Sequence, residues 1–144
     1  MTLYVMDTDH LTLYQRNHPK VVSRVIETRQ SKIAALSTTV VSLQEQLEGR
    51  LAQIRKARNS ESLELAYKLL KQTFGLFTNL NVLDYDNIAN NYLQEFRKAG
   101  IRIGTQDLRI ASIALANNGI LLTRNLRDFE KVPNLVIQDW SREN

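Results

Sequence analysis

The sequence predicts an α/β fold, a mostly parallel sheet of four to five strands with helices on both faces. Two observations carry this expectation. Short apolar segments alternate with longer stretches of helical periodicity along the whole chain, which implies crossover units and a parallel sheet covered on both sides. The 144 residues, 43% of them hydrophobic, suit one domain spanning 1–144 with a sizeable core, and no repeat, linker or low-complexity tract interrupts them.

LYVMD (3–7) has the pattern of a short buried strand stopped by polar residues. Thr8 or Asp9 can cap a helix running from His10 to Arg16, and His18-Pro19 breaks the chain before a second helix at 21–29, where Pro19 suits the first turn. IAALS (33–37) is a second strand. From Thr38 or Thr39 a long helix extends to about Arg58, with Leu43, Leu47, Leu51 and Ile54 as its inward stripe. Asn59-Ser60 interrupts it, and residues 62–74 form another helix with Leu65, Leu69 and Leu70 inward. NVLDY (81–85) is a third strand. Asp86 caps a helix at 88–100 that Gly100 closes, and a helix at 105–119 closes on Gly119. ILLT (120–123) is the fourth strand and part of NLVIQDW (134–140) a short fifth.

The chain has no cysteine, which excludes disulfides and thiolate zinc sites and makes a reducing cytoplasm the expected setting. With two histidines, His10 and His18, any metal is held mainly by oxygen, which favours Mg²⁺ or Mn²⁺. The amino terminus lacks the basic and apolar regions of a signal peptide, and no apolar run approaches a membrane span. A net charge of +4 is a mild lean toward anionic partners.

In parallel sheets, chemistry gathers beyond the carboxyl ends of the strands, so acids just after strands are the place to look. Asp7 ends the first strand in VMDTDHLT. Alone, that stretch allows a phosphate-transferring nucleophile with a helper acid, a metal ligand with distant partners, or a helix cap. Glu45 lies in the helix after the second strand and shares a face with Val41, Gly49 and Ala52. Asp107 occupies the first turn of its helix, above the apolar face of Ile110, Ala111 and Ala114; Asp128 follows the fourth strand by five residues. Each has a bland alternative: dipole partner for Asp107, solvated helix edge for Glu45, surface loop for Asp128. Asp84 and Asp86 read as turn and cap. Jointly, carboxylates converging on one point without Lys or His nearby call for a divalent cation, which is machinery for cutting a phosphodiester.

The motifs DTD (7–9), SLQEQLEG (42–49), IGTQDLRIASIALANNGILLTRN (103–125) and RDFEKVPNLVIQDW (127–140) resemble those of PIN-domain ribonucleases and, more narrowly, VapC-type toxins of bacterial toxin–antitoxin pairs. The resemblance spans nearly the whole chain. It implies a three-layer α/β/α sandwich. It also implies an endoribonuclease using one or two Mg²⁺ ions, or Mn²⁺, acting on tRNA or rRNA and neutralised by a cognate antitoxin. Asp7, Glu45 and Asp107 match the family's metal-holding acids. For the fourth acid, Asn125 occupies one form of the position and Asp128 another, and Asp128 is favoured. Asp9 stands where the family usually has Asn, so it either adds to the demand for metal or caps the first helix. Ser42 and Thr123 fit supporting hydroxyl positions. Arg109, Arg124, Arg127 and Lys131 are candidates for RNA phosphates. The long helices at 40–58 and 62–74 are expected to pair with a second copy, making a homodimer, or with an antitoxin peptide.

Two rivals follow from the same residues. VMDTDHLT also resembles the D-x-D strand end of haloacid-dehalogenase phosphatases, with Asp7 as nucleophile. There Leu11 stands where a Thr belongs, and Glu45 and Asp107 would be idle. Alternatively the domain is a catalytically inactive RNA-binding or dimerisation module.

Overall fold

The computed structural model describes residues 1–142. In chain order the elements are β1 (Thr2–Met6), α1 (Thr8–Gln15), α2 (Pro19–Gln30), β2 (Ala34–Thr39), α3 (Val40–Lys56), α4 (Ser60–Thr78), β3 (Asn81–Leu83), α5 (Asn87–Lys98), α6 (Thr105–Ala116), β4 (Ile120–Leu122), α7 (Leu126–Phe129) and β5 (Val136–Gln138). The five strands form one sheet in the order β3-β2-β1-β4-β5, every pair parallel. Strand β1 is central, with Met6 beside Thr38 on β2 and Leu122 on β4.

Side chains of successive strand residues point to opposite faces, and the core divides accordingly. Val5 and Leu121 pack with Leu93, Phe96, Leu108 and Ile110 from α5 and α6. Met6 and Leu122, one residue on, pack with Leu11, Val21, Val25 and Phe77 from α1, α2 and α4, and with Trp140. This is the three-layer α/β/α arrangement. No helix among the described residues is long and apolar enough to cross a membrane.

Several elements differ from expectation for local reasons. Asp7 is not the last residue of β1 but the N-cap of α1, its carboxylate accepting from the His10 N–H; neither Thr8 nor Asp9 caps that helix. Helix α4 starts early, at Ser60, because Asn59 and Ser62 form a reciprocal capping box, and it runs on to Thr78. Leu51 on α3 and Leu65 on α4, expected inward, are exposed. The buried faces are instead Val41, Ser42 and Gln46 on α3 and Ala66, Thr73 and Phe77 on α4. The third strand ends at Leu83, so Asp84 and Tyr85 lie beyond it. Helix α7 had no counterpart in the sequence reading, and its Phe129 is buried in the α5–α6 side of the core. Gly100, at φ +75°, follows the end of α5 as expected. After α6 the positive φ belongs to Asn118, at 53°. Gly119 answers a different demand: a Cβ there would lie 2.6 Å from Val5 Cγ2, so glycine lets the chain pass close to β1.

Candidate active site

The carboxyl ends of β1 and β2 and the start of α6 open onto one cleft of about 290 Å³. It is lined by Asp7, Thr8, Asp9, Thr12, Glu45, Asp107, Ile110 and Asn125. Residues 7, 45 and 107, far apart in sequence, are therefore gathered by the topology. A larger groove of about 540 Å³ adjoins it, sharing Thr8, Thr12 and Glu45, and continues past Arg16, Gln46 and Arg50.

Asp7 is buried, at 5% exposure. Its Oδ1 accepts from the His10 N–H at 3.0 Å, so the helix α1 amino terminus fixes it. Asp9 is held from the other side. Its carboxylate accepts from the His10 ring Nδ1 at 2.7 Å, from the Arg124 N–H at 3.1 Å and from Thr123 Oγ1 at 3.4 Å. Glu45 is positioned by Thr8, whose Oγ1 donates to Oε1 at 2.7 Å. The middle residue of DTD thus ties the first helix to α3.

The electrostatics follow from this crowding. Burial, then the charge and hydrogen bonding of Asp9, push the Asp7 carboxyl well above its ordinary range. Burial pushes Asp9 up as well, but hydrogen bonds from His10, Asp7 and the Arg124 N–H outweigh it and leave Asp9 below the usual value. Of the two, Asp7 therefore holds a proton more readily than Asp9. Asp107 is raised by burial first and then by the charges of Glu45, Asp128 and Asp9. No Lys or Arg ion pair relieves Asp7, Asp9, Glu45 or Asp107 among the described residues. An all-oxygen donor set that repels itself suits a divalent cation. Asp7, Asp9 and His10 also offer ligand atoms within 4.8 Å of one another.

The other sequence candidates fall in different places. Of the two fourth-position residues, Asn125 lines the cleft. Asp128 stands behind it, accepting from Asn125 Nδ2 at 3.0 Å and lying 3.5 Å from Lys131 Nζ; the Asn125 amide and the Lys131 charge hold its carboxyl low. Thr123 is buried and touches Asp9. Ser42 is buried in the first turn of α3 and bonds Thr39, not a carboxylate. Arg109 donates to Gln106 at 2.7 Å and does not line the cleft. Arg124, Arg127 and Lys131 are exposed in and beside α7. Sequence reasoning missed Thr8 and His10 as parts of the site. For Thr8 the available signal was its adjacency to Asp7, which read as capping; His10 read as the start of the first helix. Glu45 and Asp107, which a phosphatase site would leave idle, face the same cleft as Asp7, against that rival.

No family model matches the chain. Individual relatives do. The ribonuclease VapC2 of Rickettsia felis is 27% identical over 146 residues, covering 97% of this chain and 99% of its own length. The tRNA(fMet)-specific endonuclease VapC of Salmonella typhimurium is also 27% identical, again over 97% of this chain and 99% of its own. Among solved structures, the DNA-bound VapBC of Salmonella typhimurium superposes with a TM-score of 0.75 at 26% identity, over 97% of this chain and 99% of that one. From end to end, in sequence and in its three-layer fold, this chain is similar to VapC ribonucleases and to the solved VapBC complex.

Proposed function

We propose that this chain is a divalent-cation-dependent endoribonuclease and the toxin of a toxin–antitoxin pair. The observation that carries the reading is the cleft in which Asp7, Asp9, Glu45 and Asp107 converge with no Lys or Arg among its described lining residues. Asp7, Glu45 and Asp107 would hold one or two Mg²⁺ ions, or Mn²⁺. When bound, such an ion stabilises charge on the scissile phosphate and acidifies water.

The protein's own part is placement. Asp7 is fixed by the α1 amino terminus and Glu45 by Thr8. A proton on Asp7 would compete with a cation, so cation affinity should weaken as pH is lowered. Asn125 presents its side chain to the cleft, and Asp128 orients it from behind. Arg124, Arg127 and Lys131, exposed around α7, would meet RNA phosphates. Transfer RNA is the first substrate to try, given the specificity in the name of the Salmonella relative, with rRNA second; both place the activity in the cytoplasm. Relatives solved as VapBC complexes support a cognate antitoxin as partner. Exposed Leu51, Leu65, Tyr67 and Phe74 on α3 and α4 support a protein–protein surface there, for the antitoxin or a second copy.

The test is cleavage of purified tRNA and rRNA with and without Mg²⁺ by the unsubstituted protein and by Asp7→Asn. Asparagine can still cap α1, so circular dichroism should be unchanged while cleavage falls at least about a hundredfold. Undiminished cleavage by Asp7→Asn, or cleavage in chelator, overturns the reading.

A further inference from the structure

His10 is fully buried, yet both its ring nitrogens are engaged. Nδ1 lies 2.7 Å from Asp9 Oδ1, and Nε2 lies 3.1 Å from the backbone N of Trp140, 130 residues away. A backbone N–H can only donate, so Nε2 must be the bare acceptor. The ring proton is then on Nδ1 and donates to Asp9. Two further carboxylates face the ring. Asp7 Oδ1 is 3.8 Å from Nδ1, and Asp139 Oδ1 is 3.7 Å from Nε2, both beyond hydrogen-bond reach. Asp139 Oδ1 is already served by the Ser141 N–H and hydroxyl, at 2.8 and 2.6 Å.

The donor that sets the ring is itself held. Trp140 is buried, packs edge-on to Tyr4 with ring centroids 5.0 Å apart, lies under the Arg24 guanidinium and donates through Nε1 to Gln138. Asp9, for its part, receives donors from His10, Arg124 and Thr123. An asparagine at position 9 could offer an amide to Asp7. A carboxylate at position 9 can only accept, and three donors already point at it.

We propose that His10 is a positioning residue: locked as the Nδ1–H tautomer by the Trp140 N–H, it holds Asp9 as an additional carboxylate facing the cation cleft. It couples the segment after β5 to the first helix and is not itself a ligand, because both nitrogens are spent. The inference rests on the metal-dependent reading above. Partners that orient the groups around a metal typically contribute 10–100-fold in affinity, mostly through geometry.

Two substitutions separate the ring's contacts. His10→Asn places an amide donor near the Nδ1 position, toward Asp9. His10→Gln places its amide near the Nε2 position, where its oxygen can accept from Trp140 but nothing reaches Asp9. Mn²⁺ titration by calorimetry should give about 10-fold weaker binding for His10→Gln and a value within about threefold of the parent for His10→Asn. Long-range ¹H–¹⁵N spectra of the unsubstituted protein should show His10 protonated on Nδ1 and bare on Nε2. An Nε2–H tautomer overturns the proposal alone, as do equal affinity losses in both variants that track their melting temperatures. If the unsubstituted protein binds no Mn²⁺, the metal-dependent reading falls and the proposal with it. If either variant fails to fold, the tautomer decides.

Discussion

On the β1–α1 side of the cleft, Asp7 and Asp9 are partly or wholly buried and each is fixed by backbone or ring donors. On the β4–α7 side, Asn125 caps and Asp128 sits within a single-turn helix, bonded mainly to each other and to Lys131 at the surface. The first side spends burial on geometry and tolerates repulsion between carboxylates. The second keeps charge in water, where a long flexible substrate can find it. A site that must place an ion and also accept a polymer needs both kinds of construction.

The comparison breaks most visibly in activity. Asp7→Asn should lower cleavage by at least about a hundredfold, whereas Arg127→Ala should cost less than about tenfold, measured as initial rates on one RNA. Similar losses would mean that the two sides share one role.

Stability gives the next largest contrast. The Asp7 carboxyl is raised in the folded state, so folding favours its protonated form. That contribution is complete below the ordinary aspartate range and is lost as pH rises through the elevated Asp7 range. At neutral pH the cation-free protein therefore carries a cost that Asp7→Asn removes. This variant should be more stable than its parent by on the order of 1 kcal/mol without metal. Mn²⁺ at a hundredfold excess over its Kd should then stabilise the parent by about 2.7 kcal/mol and leave the variant nearly unchanged. Thermal melts with and without Mn²⁺ read both effects.

The smallest effect belongs to the rim. Removing one phosphate contact, as in Lys131→Ala, should reduce the slope of log affinity against log salt by about one and weaken RNA binding only a few-fold. Binding curves at several salt concentrations, using Asp7→Asn to prevent cleavage, would show it. An unchanged slope would remove Lys131 from the RNA surface.

Much of this was legible in the residues. The alternation of apolar strands and amphipathic helices carries the layered fold, because a parallel sheet needs apolar side chains on both faces of nearly every strand. Asp7, Glu45 and Asp107 were readable as a set because parallel topology sends strand ends and their following helices to one edge. The inward faces of α3 and α4 were less readable. Leucines at helical spacing suggested Leu51 and Leu65, but the helices bury Gln46, Ala66 and Thr73 instead. His10 was invisible as part of the site because its decisive partner, a backbone N–H at Trp140, has no side-chain signature.

The strand order also sets a timetable. Strand β1 is made first and its neighbour β2 is complete at residue 39, but its other neighbour, β4, begins only at Ile120. Until then β1 is an open edge, and a growing chain that already contains Asp7, Glu45 and Asp107 lacks the Arg124 N–H, Thr123 and Trp140 that hold Asp9 and His10. The carboxylate cleft is thus completed only by residues that leave the ribosome late.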